Sequence, residues 1–171
     1  MTSLRIKEIG LLRPEVISKD EYVFNIDWEG SQGQTFYWRA GASSKALLEI
    51  GMSGATGDIH SIELVLADKV ILNQDLPSLM STNIPQKVGS PTFVLESIWG
   101  LEESFIDANE TFSVYVGKDS LSIKFEASDQ VDSILKNGRV GFGLKADEVT
   151  IINVIDLSDE EMGNLKSILR I

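Results

Sequence analysis

The chain predicts a mainly β (α+β) protein: an antiparallel β-sandwich or strongly curved sheet of about nine strands with a C-terminal helix. Three observations carry this expectation. Apolar and polar residues alternate at period two through most apolar segments, as in Tyr22–Trp28 and Phe112–Val116. Short Gly-, Ser- and Asp-containing loops join these segments, and no long helical stretches alternate with them, which argues against a parallel doubly wound sheet. The last residues, from Ser158 on, combine helical spacing with a complete capping box.

Leu4–Ile9 reads as a first strand, ended by Gly10 and Arg13-Pro14, after which a turn or extended link follows. In Glu21–Glu29, Tyr22, Phe24, Ile26 and Trp28 share one face. A loop over residues 30–34 leads into Thr35–Ala40, with Phe36 and Trp38 on one side. Leu47–Gly51 and Ile59–Ala67 then form the central hairpin around Gly51, Gly54 and Gly57; Ile62, Leu64 and Leu66 face inward, opposite Ser61, Glu63 and Val65.

Residues 68–92 read as irregular, with one helical turn over Asp75–Met80 that starts near Asp75 or Leu76, and Pro85 and Pro91 argue against a central strand. Phe93–Ser97 predicts a short strand, ended by Trp99-Gly100, and residues 101–110 a loop. Phe112–Val116 and Leu121–Glu126 form a hairpin across Gly117–Ser120. Asp129–Asn137 predicts a short helix, with Asp129 as N-cap, Val131, Ile134 and Leu135 on one stripe and Gly138 after its end. Arg139–Leu144 and Val149–Ile155 make the last strand pair, with Val140, Phe142 and Leu144 inward. In the final helix Ser158 and Glu161 complete a capping box, while Met162, Leu165, Ile168 and Leu169 form its apolar stripe.

With 171 residues and 43% apolar side chains, the chain predicts one domain spanning residues 1–171 with a sizeable core. It has no cysteine, which removes disulfides, thiolate metal sites and a thiol nucleophile. The first ten residues lack the apolar run of a signal peptide, and no apolar run approaches the roughly 20 residues of a membrane span, so a cytoplasmic location is expected. Net charge is −11; residues 1–100 carry 8 basic and 12 acidic side chains, residues 101–171 carry 7 and 14. A field of that sign repels phosphate backbones and anionic lipid, which disfavours nucleic-acid and membrane-surface binding and favours a basic partner.

The residues supply no familiar catalytic set. Gly51, Gly54 and Gly57 match neither a dinucleotide-binding nor a phosphate-loop spacing, and a strand follows them. His60 is the single histidine, expected at the rim on the face of Ile62 and Leu64 with a satisfied hydrogen bond; no Gly-x-Ser-x-Gly elbow accompanies it. Asp27 and Glu29, two apart on one strand, are one possible carboxylate pair, but sequence cannot place them across a cleft. Trp28 and Trp38 fall on apolar faces and belong to the core, whereas Tyr37 and Tyr115 face outward. The acidic segment with Glu102, Glu103, Asp107 and Glu110 is the candidate partner-binding feature, able to pair with lysines and arginines. Neither a cofactor nor a metal is expected.

This layout, with Leu48-Glu49-Ile50-Gly51 and Thr56–Leu66 at its centre, resembles the immunity proteins of bacterial polymorphic-toxin and contact-dependent growth inhibition systems. The resemblance implies a cytoplasmic antidote that is not an enzyme and that binds a cognate toxin domain, commonly a basic nuclease, to block its active site. Two other expectations stay open: a carbohydrate-binding β-sandwich module and a carboxylate-dependent hydrolase.

Overall fold

A computed structural model describes residues 3–30, 33–41, 43–72, 83–95, 103–126 and 130–171. Two large sheets enclose one core, as the alternating pattern predicts. The six-stranded sheet has the order β10 (Phe105–Asp107), β4 (Thr35–Ala40), β5 (Leu47–Ser53), β6 (Ile59–Leu66), β3 (Phe24–Trp28), β2 (Glu15–Ser18). The seven-stranded sheet has the order β7 (Val70–Leu72), β11 (Phe112–Val116), β12 (Leu121–Phe125), β15 (Glu148–Val154), β14 (Val140–Lys145), β13 (Ser133–Asn137), β8 (Gln86–Val88). A third, two-stranded sheet pairs β1 (Ile6–Gly10) with β9 (Ser90–Phe93). Pairing is antiparallel apart from β10 on β4, β7 on β11 and β8 on β13, each a margin of its sheet.

The inner faces meet in a single buried cluster that runs from Leu4 to Leu165. Trp38, Ile50, Ile62 and Ile26 stand side by side across four strands of the six-stranded sheet, and all four are buried. From the other sheet Phe125 meets Trp38 edge-to-face, with ring centroids 5.5 Å apart. At the margin, Asn137 ties three sheets together. Its buried amide, oriented by its neighbours, accepts from Trp28 Nε1 at 2.7 Å and Ser90 Oγ at 2.9 Å and donates to the Arg13 carbonyl at 2.9 Å. In the central turn Gly57 has φ +83°, and a Cβ there would lie 2.2 Å from the Phe93 carbonyl oxygen, so only glycine fits.

Helix α1 (Asp159–Leu169) follows its sequence signature. Glu161 N–H donates to Ser158 Oγ at 3.1 Å, and Ser158 N–H donates to Glu161 Oε1 at 2.9 Å. Met162 and Leu165 enter the core, and Arg139 of the β13–β14 turn clasps Glu161 at 2.8 Å.

Several expectations are corrected. The described residues contain fifteen strands, not about nine. Residues 133–137 form β13 rather than helix: Ile134 and Leu135 serve opposite faces of the sheet, Ile134 against Ile151 and Leu135 in the main core. Their spacing fits a helix too, and pairing with β14 decides between the two. Gly138 is therefore a hairpin-turn glycine, and Asp129 lies outside the described residues. Phe93 ends a strand instead of starting one, and Pro91 sits within β9, tolerated because the two-stranded sheet consists of edges. Glu15–Ser18, expected as a link, is strand β2, and Phe105–Asp107, expected as loop, is strand β10. Tyr22 is exposed and outside β3. The expected helical turn at residues 75–80 lies outside the described residues. No described helix is long and apolar enough to cross a membrane.

Candidate functional site

The outer face of the six-stranded sheet gathers polar side chains into rows that cross all six strands. Strand alternation puts Asn25, Asp27, Tyr37, Arg39, Glu49, Ser61 and Glu63 on this face, and the register aligns them. One row reads Asp107, Arg39, Glu49, Glu63, Asn25, Ser18, from β10 to β2. The adjacent row reads Phe105, Tyr37, Gly51, Ser61, Asp27, Val16.

Glu49 and Glu63 are direct cross-strand neighbours, an arrangement that costs stability when both are ionised. Burial, then the charge of Glu49 and a hydrogen bond with it, and then Asp27 and Asp20, push the Glu63 carboxyl up to about 7. A proton held on Glu63 relieves its repulsion with Glu49. Asp27 is better provided for: it accepts from Asn25 Nδ2 at 2.7 Å and from Ser18 Oγ at 3.1 Å. Tyr37 lies over Gly51, where a Cβ would come within 3.3 Å of its ring. Its hydroxyl is pushed above the usual phenol range by burial first and then by Glu63, Glu49 and Asp27.

Arg39 is the cation of the row. It pairs with Asp107 at 3.0 Å, stands 3.9 Å from Glu49 and stacks 4.4 Å from the centre of the Phe105 ring. Asp107 takes its charge first, so the Glu49–Glu63–Asp27 group keeps excess negative charge.

Among the described residues, the acidic side chains singled out in sequence, Glu103, Asp107 and Glu110, do not share one loop. Glu103 is exposed, ahead of β10, and Asp107 is tied to Arg39. Glu110 is only 5% exposed, beside Trp38 and Phe125, and burial together with Glu148 raises its carboxyl above the usual range. Glu102 and Trp99 lie outside the described residues. Asp27 and Glu29 are not a pair, because Glu29 is exposed beyond the end of β3. Trp28 and Trp38 are core residues.

His60 departs from its expected face. Gly51 pairs with Ser61 and Met52 with Ile59, so His60 is the extra residue of a β-bulge and Ile59 takes the inner position. Its Nδ1 is 2.8 Å from Thr35 Oγ1, the hydrogen bond expected of it, while Nε2 is buried without a partner among the described residues. Burial, then Arg13, holds the imidazole below its usual range against the opposing pull of Asp58. Among the described residues no group of three or more His, Asp or Glu side chains is placed to hold a metal ion.

The Glu49–Glu63 dyad was missed in sequence because each glutamate reads singly as an outward strand residue. Extending the hairpin register outward from the Ile50–Ile62 pair would have placed them opposite each other. The chain matches no protein-family model and no curated protein.

Proposed function

We propose that the chain is an immunity protein that binds a cognate basic nuclease toxin domain and occludes its active site, through the outer face of the six-stranded sheet. The observation that carries this reading is the Glu49–Glu63 pair: two glutamates directly opposite, beside Asp27, without a basic side chain between them. A lysine or arginine from a partner set between these carboxyls would displace the proton on Glu63 and relieve the repulsion. Carboxylates so arrayed stand where a nuclease would hold substrate phosphates. The net charge of −11 steers a basic partner towards the molecule. Exposed Glu103 extends the acidic surface past β10. The location that goes with this reading is the cytoplasm, where an antidote must meet its toxin.

The test is inhibition of a basic nuclease toxin domain that copurifies with this chain. Wild type is expected to abolish nuclease activity at a one-to-one ratio. The amide variant Glu49→Gln/Glu63→Gln/Asp27→Asn, similar in shape, should need at least a tenfold excess. Full inhibition by that variant at one-to-one would overturn the assignment of this face.

The same dyad supports a second reading. A carboxyl that titrates near neutrality beside a second carboxyl suits general acid–base hydrolysis. Hydrolytic activity lost in Glu63→Gln, with no toxin bound, would favour it.

A further inference from the structure

Strand β1 has an unused edge. Its one ladder is to β9. The start of its other side is taken, because Ile6 N–H donates to the Asp147 carbonyl and Val149 N–H to the Leu4 carbonyl, both at 2.8 Å. From Lys7 onward no described residue bonds to that side. Ile9 stands opposite Pro91, which has no N–H, so the two cannot form the hydrogen-bonded kind of antiparallel pair. The N–H and C=O of Ile9 therefore point to the open side.

This edge forms one wall of a groove of about 430 Å³, lined also by Lys87, Ser133 and Ala146. Exposed apolar residues gather at the same end: Ile9, then Leu11 at 90%, Leu12 at 53% and Val88 at 65% exposure. Val88 joins this group because Gly89, the next residue, lies against Ile9 and Gly10. Exposed apolar side chains beside an unpaired strand edge invite strand addition, against which charged edge residues are the usual protection.

The charges here are those of an acceptor rather than a guard. Lys7 and Lys87 line the groove, and neither has a carboxylate partner among the described residues. Of the two carboxylates present, Asp147 is held by Arg5 at 2.9 Å, which leaves only Glu8. The groove is thus locally cationic on a chain of net charge −11.

We propose that the groove takes an extended segment of a partner protein, apolar at alternate residues and acidic between them, added to β1 as a further strand. Backbone bonds to Ile9 supply affinity, the exposed apolar residues Ile9 and Val88 receive alternate side chains, and Lys7 and Lys87 select for carboxylates. This site is separate from the acidic sheet face, and either can fail without the other.

The probe is a capped, fluorescein-labelled octapeptide of alternating Val and Glu, with a Val/Lys counterpart, read by fluorescence anisotropy. The acidic peptide is expected to bind with Kd below about 100 μM, and the basic one at least about tenfold more weakly. Lys7→Glu/Lys87→Glu should lose about tenfold or more. Ile9→Pro, which removes the open-side N–H and spares the ladder to β9, should lose as much. If Ile9→Pro does not fold, amide exchange of wild type decides: the Ile9 N–H should slow by at least about tenfold when the acidic peptide is added. Equal affinity for the two peptides, or unchanged exchange at Ile9, would overturn the proposal. So would a dimer of this chain that forms through β1 and excludes the peptide.

Discussion

Glu49 and Glu63 face each other across β5 and β6, on a half-buried sheet face that also carries Asp27. A folded protein gains nothing from this arrangement alone. With both groups ionised the pair repels across a short cross-strand gap, and while it holds a proton it gives up a charge the chain otherwise displays. The pair is therefore best understood through what approaches it from outside.

Stability should record the proton held on Glu63. Glu63 titrates near 7 in the folded chain, above its ordinary 4.5. Between those values the folded state holds a proton that the unfolded state has released. The resulting stabilisation is complete below about pH 4.5 and is lost as pH rises through 7. Glu63→Gln cannot ionise, so it should be more stable than wild type at pH 8. The expected gain is about 1–2 kcal/mol, after allowance for the solvent exposure of the dyad. Urea unfolding at pH 5 and pH 8 checks this: the advantage of the variant should shrink at pH 5. An equal difference at both values would contradict the raised Glu63 carboxyl.

His60 should act in the opposite direction. Its folded value lies below the usual imidazole range, so the unfolded chain takes up a proton first as pH falls, and stability drops below about pH 6.5. Replacing His60 with Gln, which keeps a polar side chain towards Thr35, should remove that component of the acid sensitivity. Thermal unfolding of the two proteins between pH 5 and 7.5 reads it out, and parallel curves would contradict it.

Much of the architecture was legible because alternation is local. Phe24, Ile26 and Trp28, or Val140, Phe142 and Leu144, show their buried face without knowledge of the partner strand. The helix at 159–169 was legible for a similar reason, since Ser158 and Glu161 cap it within four residues. What failed was non-local. Ile134 and Leu135 fit either period, and only pairing with β14 makes them strand. The bulge at His60 shifts the phase of one strand, which no single-strand pattern reveals. The site shows the same division: Glu103 and Asp107 were noticed as a local acidic run, while Glu49 and Glu63, fourteen residues apart in sequence, meet only through register.

Asn137 bears on how the sheets hold together. It joins Trp28, Ser90 and Arg13 from one fully buried amide. Asn137→Ala would leave the Trp28 indole N–H and the Ser90 hydroxyl without this partner in the interior. A loss of about 3 kcal/mol or more is expected by urea unfolding. A loss below about 1 kcal/mol would mean that the junction tolerates unpaired groups or readmits water.

The helix cap should be modest and separable. Ser158→Ala removes the acceptor for Glu161 N–H and should cost about 1 kcal/mol, with helix α1 still docked through Met162 and Leu165. Equilibrium unfolding measures the cost, and the far-ultraviolet circular dichroism should stay that of wild type.

The most direct test of the central claim is a calorimetric titration of a copurifying basic nuclease toxin domain with wild type and with Glu49→Gln/Glu63→Gln, at about 50 and 300 mM NaCl. If the acidic sheet face is the interface, the variant should bind at least about tenfold more weakly at low salt, and wild type should weaken steeply at high salt. Equal affinity of the two proteins at both salt concentrations would contradict the account.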